Sequence, residues 1–373
     1  DGDAGIGVGG SARLNMDVAL APAGMAGVNI SGAVTVNDAA VFNSTNGSTA
    51  QPTVRTGGGQ EYVFAGVNAV LFTQDAVLTD GAAQPIHFSG TLNGPGGVAV
   101  NTAGATLFDA NIGQTLPLAS VFTDAPGTTT LPGLVTTSGS QSFEDPVALT
   151  VDTTLTSTAA GSVNLFSSVN AANHSLTLWT LGNATLGATI SNLTNLFPLV
   201  VGTTRIGTGA PVTDITVPTA LTFIGPVEVY GNVSIRTTAT GASRETSNSG
   251  STLIFRQAVN GPGSLTATAG GMLKFDGPIG FGVVLNSLVA NAPIINLNNA
   301  RTQNLLKVDA TMAADTDGSD GLVNLTGGTY TSLAGNVEFN PTGRGSASKH
   351  ATILSLAGDL AITAAGTFFM GNE

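Results

Sequence analysis

The sequence contains no cysteine and very little charge. None of its 373 residues is Cys, which excludes disulfides, thiol catalysis and thiolate metal sites. Only 9% of the residues are charged, against roughly 25% in ordinary soluble proteins, so the surface must consist mostly of hydroxyl and amide groups. The net charge is −12 and the 11 Lys and Arg residues are scattered singly. No basic patch exists to hold a phosphate backbone, which argues against nucleic acid as a partner.

Long apolar runs and helix formers are also scarce. No apolar run reaches the roughly 18 residues that a membrane span needs, so no span is predicted. The chain starts at Asp1 without a signal peptide, and we expect it to be a processed or excised piece. Glu, Lys, Arg and Gln are few, and Gly or Pro interrupts nearly every stretch long enough for a helix. These absences predict an all-β protein.

Short alternating runs fill the chain instead. Residues 33–36, 98–100 and 227–229 each place apolar side chains on one face and polar side chains on the other. Gly, Asn, Asp or Pro separates one run from the next. Because 42% of the residues are hydrophobic, the 50 glycines indicate many turns around a core rather than disorder.

An internal repeat joins residues 88–120, the first copy, to residues 255–287, the second copy. Asn93-Gly94-Pro95-Gly96 in the first copy matches Asn260-Gly261-Pro262-Gly263 in the second, and the register holds without a gap. A chain that repeats itself in this way is most simply a stack of similar units. Stacking is needed for stability, because no single unit can close a core alone.

Weaker copies extend the repeat along the chain. Phe72, Phe143 and Phe223 begin similar segments, which suggests superrepeats of roughly 70–80 residues. Each would hold three or four coils of about twenty residues, as parallel β-helices do. The sequence thus predicts one continuous β-solenoid over residues 1–373, an elongated rod with Val, Leu, Ile, Ala and Phe inside. The predicted superrepeats are about 66–142, 143–220 and 221–300.

The repeat motifs resemble those of a known family. F-x-x-P-V-x-L-T stands at Phe143–Thr150 and N-G-P-G-S-L-T at Asn260–Thr266; a Gly-rich run follows at Gly270–Gly280, then L-x-S-L at Leu285–Leu288. Over roughly residues 66–300 the chain resembles the large secreted adhesins of the filamentous-haemagglutinin type. The resemblance implies a right-handed β-helical shaft, extracellular or on a bacterial cell surface, used in adhesion or as a fibre. The N-P-N-G signature of that family's secretion domain is missing from this sequence.

The densest acidic cluster lies at residues 315–321. Asp315, Asp317 and Asp320 place oxygen ligands at i, i+2 and i+5 around a glycine turn, which suits a hard cation such as Ca²⁺. The cluster lacks the bidentate acid that completes an EF-hand-like loop. It is the one cofactor site that the sequence suggests, and its role would be structural. The alternative is a solvated loop rich in turn-forming residues.

Other residues that carry chemistry lack partners at a recognisable spacing. Asp109 and Asp276 match each other in the two copies, and we interpret both as turn residues rather than as a catalytic carboxylate pair. The three histidines, His87, His174 and His350, have no Ser or Asp at a familiar distance along the chain. No catalytic constellation is therefore predicted.

The aromatic residues leave two interpretations open. Trp179, Tyr62, Tyr230 and Tyr330 would stack on sugar rings if exposed, but we interpret them as inner or groove-filling side chains.

The leading hypothesis is a non-enzymatic extracellular structural protein, an adhesin shaft or fibre subunit that associates with itself head to tail or continues into the same polypeptide. Host or matrix glycans or proteins are further candidate partners. The alternatives are a β-helical polysaccharide lyase or hydrolase and a glycan-binding module.

Overall fold

The computed structural model describes residues 6–8, 12–16, 28–30, 34–37, 40–44, 53–63, 69–208, 212–239, 251–310, 322–340, 352–355 and 360–370. Within these ranges the regular structure is β-strand without helix, and the strands pair in parallel. The predicted all-β chain of stacked parallel strands is confirmed. The chain divides into two compact units, unit 1 (Asp1–Ala184) and unit 2 (Thr185–Glu373).

Unit 1 is a stack of short strands whose corners fall at Gly, Asn, Asp and Pro. Its strands are β1 (Ile6–Val8), β2 (Ala12–Met16), β3 (Val28–Ile30), β4 (Val34–Asn37), β5 (Ala40–Ser44), β6 (Thr53–Thr56), β7 (Gln60–Val63), β8 (Ala69–Phe72), β9 (Ala76–Asp80), β10 (Ile86–Phe88), β11 (Thr91–Asn93), β12 (Val98–Thr102), β13 (Ala105–Phe108), β14 (Val121–Thr123), β15 (Thr128–Leu131), β16 (Leu134–Thr137), β17 (Gln141–Phe143), β18 (Val147–Leu149), β19 (Thr153–Ser157), β20 (Val163–Leu165) and β21 (Val169–Thr180). A further strand, β22 (Ala184–Leu186), begins at the last residue of the unit.

The strands of unit 1 form three parallel columns that the chain visits in turn. Column 1 contains β1, β4, β7, β10, β13, β15 and β18. Column 2 contains β2, β5, β8 and β11, then β16 and β19, with Ile112 bridging Leu92 and Val135 between them. Column 3 contains β3, β6, β9, β12, β14, β17 and β20. The long strand β21 pairs with both β18 and β19.

Unit 2 follows the same plan. Its strands are β23 (Ile190–Val200), β24 (Thr204–Ile206), β25 (Thr213–Val217), β26 (Leu221–Phe223), β27 (Val227–Val229), β28 (Asn232–Thr237), β29 (Leu253–Phe255), β30 (Val259–Asn260), β31 (Ser264–Ala269), β32 (Met272–Phe275), β33 (Leu285–Asn291), β34 (Ile294–Leu297), β35 (Ala300–Asp309), β36 (Leu322–Leu325), β37 (Thr329–Ser332), β38 (Val337–Asn340), β39 (Thr352–Ser355), β40 (Ala361–Ala364) and β41 (Phe368–Met370).

Three columns are again visited in turn. Column 4 contains β24, β27 and β30, then β37 and β40. Column 5 contains β25, β28, β31, β33, β38 and β41, and column 6 contains β26, β29, β32, β34, β36 and β39. The long strand β35 pairs with β37 of column 4 and with β33 and β38 of column 5.

Aromatic stacks mark the core of each unit. Parallel strands about 4.8 Å apart in register place equivalent side chains one above the other. In unit 1 the buried Phe88 ring lies 4.9 Å from Tyr62 and 5.4 Å from Phe108, with nearly parallel planes. In unit 2 the buried Phe255 ring lies 5.2 Å from Phe223 and 4.8 Å from Phe275. Alternate residues of these strands face outward, and they are a mixture of charged side chains such as Glu61, His87 and Lys274 and apolar ones such as Leu107 and Ile254.

Candidate functional site

An acid–histidine–acid row runs across the outward face of column 1. Glu61, His87 and Asp109 come from three successive coils, because His87 is in register with Glu61 on β7 and Asp109 follows β13 directly. His87 Nδ1 lies 2.7 Å from Glu61 Oε1, and His87 Nε2 lies 2.8 Å from Asp109 Oδ2. The row is half open to solvent, with 21% of the His87 side chain and 56% of the Asp109 side chain exposed.

The row favours a charged imidazole. Partial burial lowers the pKa of His87, but the hydrogen bond that His87 donates to Asp109 and the negative charges of Glu61 and Asp109 outweigh it and raise the pKa above its ordinary value. Both ring nitrogens donate when the ring is protonated, so neither is free to bind a metal or to accept a proton from a substrate. The arrangement therefore links three successive coils as an ion-pair ladder.

This row was missed in the sequence because its members are one coil apart. The sequence shows no Ser or Asp at a recognisable spacing from the histidines, but the fold brings Glu61 and Asp109 to His87 and places Asp152 Oδ1 3.6 Å from His174 Nδ1. The separations along the chain are 26 residues for Glu61 and 22 for Asp109, close to the length of one coil. An acid about one coil away is thus the signal that finds such a pair.

The second copy carries a different charged row at the corresponding place. Asp276, the match of Asp109, lies 3.1 Å from Arg256 Nη1 and 2.7 Å from Lys274 Nζ. Both aspartates directly follow a strand, and their backbone N–H groups donate to Phe88 and Phe255 respectively. The turn positions predicted for them are compatible with this placement, and the ion pairs are an addition.

The predicted calcium ligands Asp315, Asp317 and Asp320 lie outside the described residues, as does His350. Among the residues that the structure does describe, no group of three His, Cys, Asp or Glu side chains is placed to hold a metal ion. A helix able to cross a bilayer is likewise absent from the described ranges.

The aromatic residues divide between the core and the surface. Tyr62 and Tyr330 are fully buried, and the Tyr230 hydroxyl lies 3.3 Å from Glu228 Oε2 on a half-buried face. The interpretation as inner or groove-filling residues is correct for these three. It is wrong for Trp179, which is 39% exposed on the outward face of β21, where its register partner is Thr156.

The last coil described leaves its inward face uncovered. Phe368 and Met370 on β41 are in register with the buried Val337 and Phe339 on β38, yet they are 44% and 54% exposed. In the described residues β40 pairs with β37 and β41 with β38, and each has a neighbour on one side. Unpaired backbone groups and apolar side chains therefore share this edge.

Comparison of the chain with protein-family models, with curated proteins and with solved structures finds no match.

Proposed function

We propose that this chain is a structural element of an extracellular fibre or adhesin shaft, a right-handed β-solenoid that carries no catalytic site. Parallel columns visited in turn by short strands support a solenoid that grows by adding coils. The scarcity of charge, with a net charge of −12, suits an exposed surface that does not attract nucleic acid. The resemblance to the filamentous-haemagglutinin type of adhesin points to the same role and to a cell-surface location.

The observation that carries the proposal is the in-register parallel pairing of successive coils in each column, which β40 and β41 continue. Apolar side chains aligned with the core and unpaired strand edges are what another parallel coil would cover by β-augmentation. That coil would come from the same polypeptide or from a second copy stacked end to end. In both cases the surface serves to extend the stack.

Electron microscopy of the purified chain tests this role. We expect rods that join end to end, and Phe368→Lys should block the joining because a buried charge replaces an apolar contact. Thr363→Lys is the matched control, since Thr363 is exposed and in register with the outward Thr331, and it should leave assembly unchanged.

Two other outcomes would overturn the proposal. Turnover of acidic or neutral polysaccharides, with or without Ca²⁺, would establish an enzyme. A saccharide-dependent change in the fluorescence of Trp179, without any joining of rods, would favour the second candidate function, glycan binding. That candidate is supported by the exposure of Trp179 beside a threonine-lined face.

A further inference from the structure

A buried carboxylate with an unused oxygen lies at a corner of unit 1. Asp145 follows β17 and is fully buried, and its Oδ1 has no hydrogen-bond partner. Its Oδ2 lies 3.1 Å from Thr129 Oγ1, which is also 3.1 Å from Thr123 Oγ1. A single hydroxyl proton thus serves two acceptors, and Asp145 has at best one donor. A charged carboxylate in such a place is costly.

Two more acids face this carboxylate. Asp124 follows β14 one coil earlier, and Glu144 precedes Asp145 in the chain. In the described residues they are the charged groups that act on Asp145, and both repel its negative charge. Burial, followed by these charges, raises the pKa of Asp145 to about 6 against the opposing hydrogen bond from Thr129. We call Asp124, Glu144 and Asp145 the acid corner.

A nearby aspartate at the same kind of corner shows the opposite arrangement. Asp80, at the end of β9, is also buried, but its carboxylate accepts hydrogen bonds from Thr56 Oγ1 and from three backbone N–H groups, those of Gly59, Ala82 and Gln84. Burial raises the pKa of Asp80, yet these four donors together lower it below its ordinary value. The corner therefore has room for a fully satisfied carboxylate, and at Asp145 the donors are missing.

We propose that the acid corner is a proton-operated clamp, which tightens the junction between columns 3 and 1 of unit 1 when the surroundings become acidic. Proton uptake by Asp145 removes the buried charge and its repulsion from Asp124 and Glu144. The added O–H also turns the carboxyl group into a donor. Asp145 has no exposed surface, so it cannot touch a polysaccharide, and its titration acts on the stacking of coils.

The direction of the effect follows from linkage. A carboxyl group whose pKa is higher in the folded state binds a proton on folding, so its contribution is fully present below the ordinary value of 3.8 and is lost as pH rises through about 6. The rise amounts to a gain of about a hundredfold in proton affinity. Asp80 acts in the opposite sense, and its contribution is lost as pH falls.

Thermal unfolding of the full chain between pH 4 and pH 8 tests the clamp, with wild type, Asp145→Asn and Asp80→Asn compared at each pH. As pH rises, wild type should lose the contribution of protonated Asp145, whereas the Asn variant has no such group to titrate. The Tm of Asp145→Asn minus the Tm of wild type should therefore be about 3–6 °C higher at pH 8 than at pH 4. Taking the difference cancels any constant cost of the amide and the titration of groups that do not interact with Asp145. For Asp80→Asn the Tm of the variant minus the Tm of wild type should instead become more negative as pH rises, because ionised Asp80 stabilises wild type. A difference for Asp145→Asn that stays constant across this range would overturn the proposal.

Hydrogen exchange adds a local readout that a merely structural role would not move. Amides of residues 124–147 in wild type should exchange several-fold more slowly at pH 5 than at pH 7.5 after correction for intrinsic rates. Asp145→Asn should abolish that change, and Thr129→Val, which removes the donor to Oδ2, should shift it to higher pH. Equal protection at both pH values in wild type would contradict the clamp.

Discussion

The first and second copies of the repeat share their backbone contacts but not their outward charges. In the first copy Asn93 Oδ1 accepts from Thr115 N, 22 residues on, and in the second Asn260 Oδ1 accepts from Gly282 N, again 22 residues on. The glycine after each asparagine has positive φ, +135° and +120°. Outside, Asp109 of the first copy pairs with His87, which directly precedes that copy, whereas its match Asp276 in the second copy pairs with Arg256 and Lys274.

This difference separates what the fold requires from what it tolerates. The Asn-Gly corner and the phenylalanine stack recur because each is fixed by close contact with a neighbouring coil. On the outward row, neighbouring side chains of successive coils need only carry opposite charges. It does not matter which coil carries the acid and which carries the base. We therefore expect substitutions at corners, in the core and on the outward row to have decreasing effects.

The largest effect is expected at the corner glycines. A Cβ atom at Gly94 would lie 2.0 Å from Phe72 O, and one at Gly261 would lie 2.3 Å from Val229 O. Gly94→Ala and Gly261→Ala should each lower the free energy of unfolding by about 5 kcal/mol or more, measured by urea denaturation. Gly81→Ala is the control, because its Cβ would meet Thr56 O at 3.8 Å, and it should change stability by less than about 0.5 kcal/mol. Tolerance of alanine in one copy alone would show that the two corners are not equivalent.

A smaller loss is expected when the middle ring of either stack is removed. Phe88→Ala and Phe255→Ala should each cost about 3–5 kcal/mol in the free energy of unfolding, since a cavity replaces a ring packed on both sides. The outward neighbour gives the control: Ile254→Ala should cost less than half as much, because Ile254 is only partly buried. A loss confined to one copy would break the equivalence of the cores.

The smallest effect concerns the outward rows. Because the pKa of His87 is raised in the folded protein, its row should stabilise unit 1 below about pH 6.5 and lose this contribution as pH rises through the folded-state pKa. The matched variant is His87→Ile, because Ile254 stands at the equivalent position directly before the second copy. At pH 5.5 the free energy of unfolding of wild type should exceed that of this variant by about 1 kcal/mol or less, and by less still in 1 M salt. A gain that grows with pH would contradict this.

The sequence predicts the inward half of this molecule better than the outward half. Alternation and repetition identify the parallel strands, and Phe108 and Phe275 can be placed in the core because each copy supports the other. The partner of His87 cannot be located in the same way, because the distance to the next coil varies with the corner. Trp179 was misassigned although the strand pattern indicates its face, since Leu176 and Leu178 point inward and alternation then puts Trp179 outside. Asp145 stands in a turn-like sequence, Glu-Asp-Pro, which does not indicate that its carboxylate accepts a hydrogen bond from Thr129 of the preceding coil.

Coils of unequal length nevertheless stay in register. Thr129 pairs with Val147, 18 residues on, whereas Val98 pairs with Val121, 23 residues on. The strands set the alignment, and the corners absorb extra residues without passing the change on to the next coil. Such corners are natural insertion points, where a loop, a tag or a whole binding domain can be grafted while the stack beneath it folds as before.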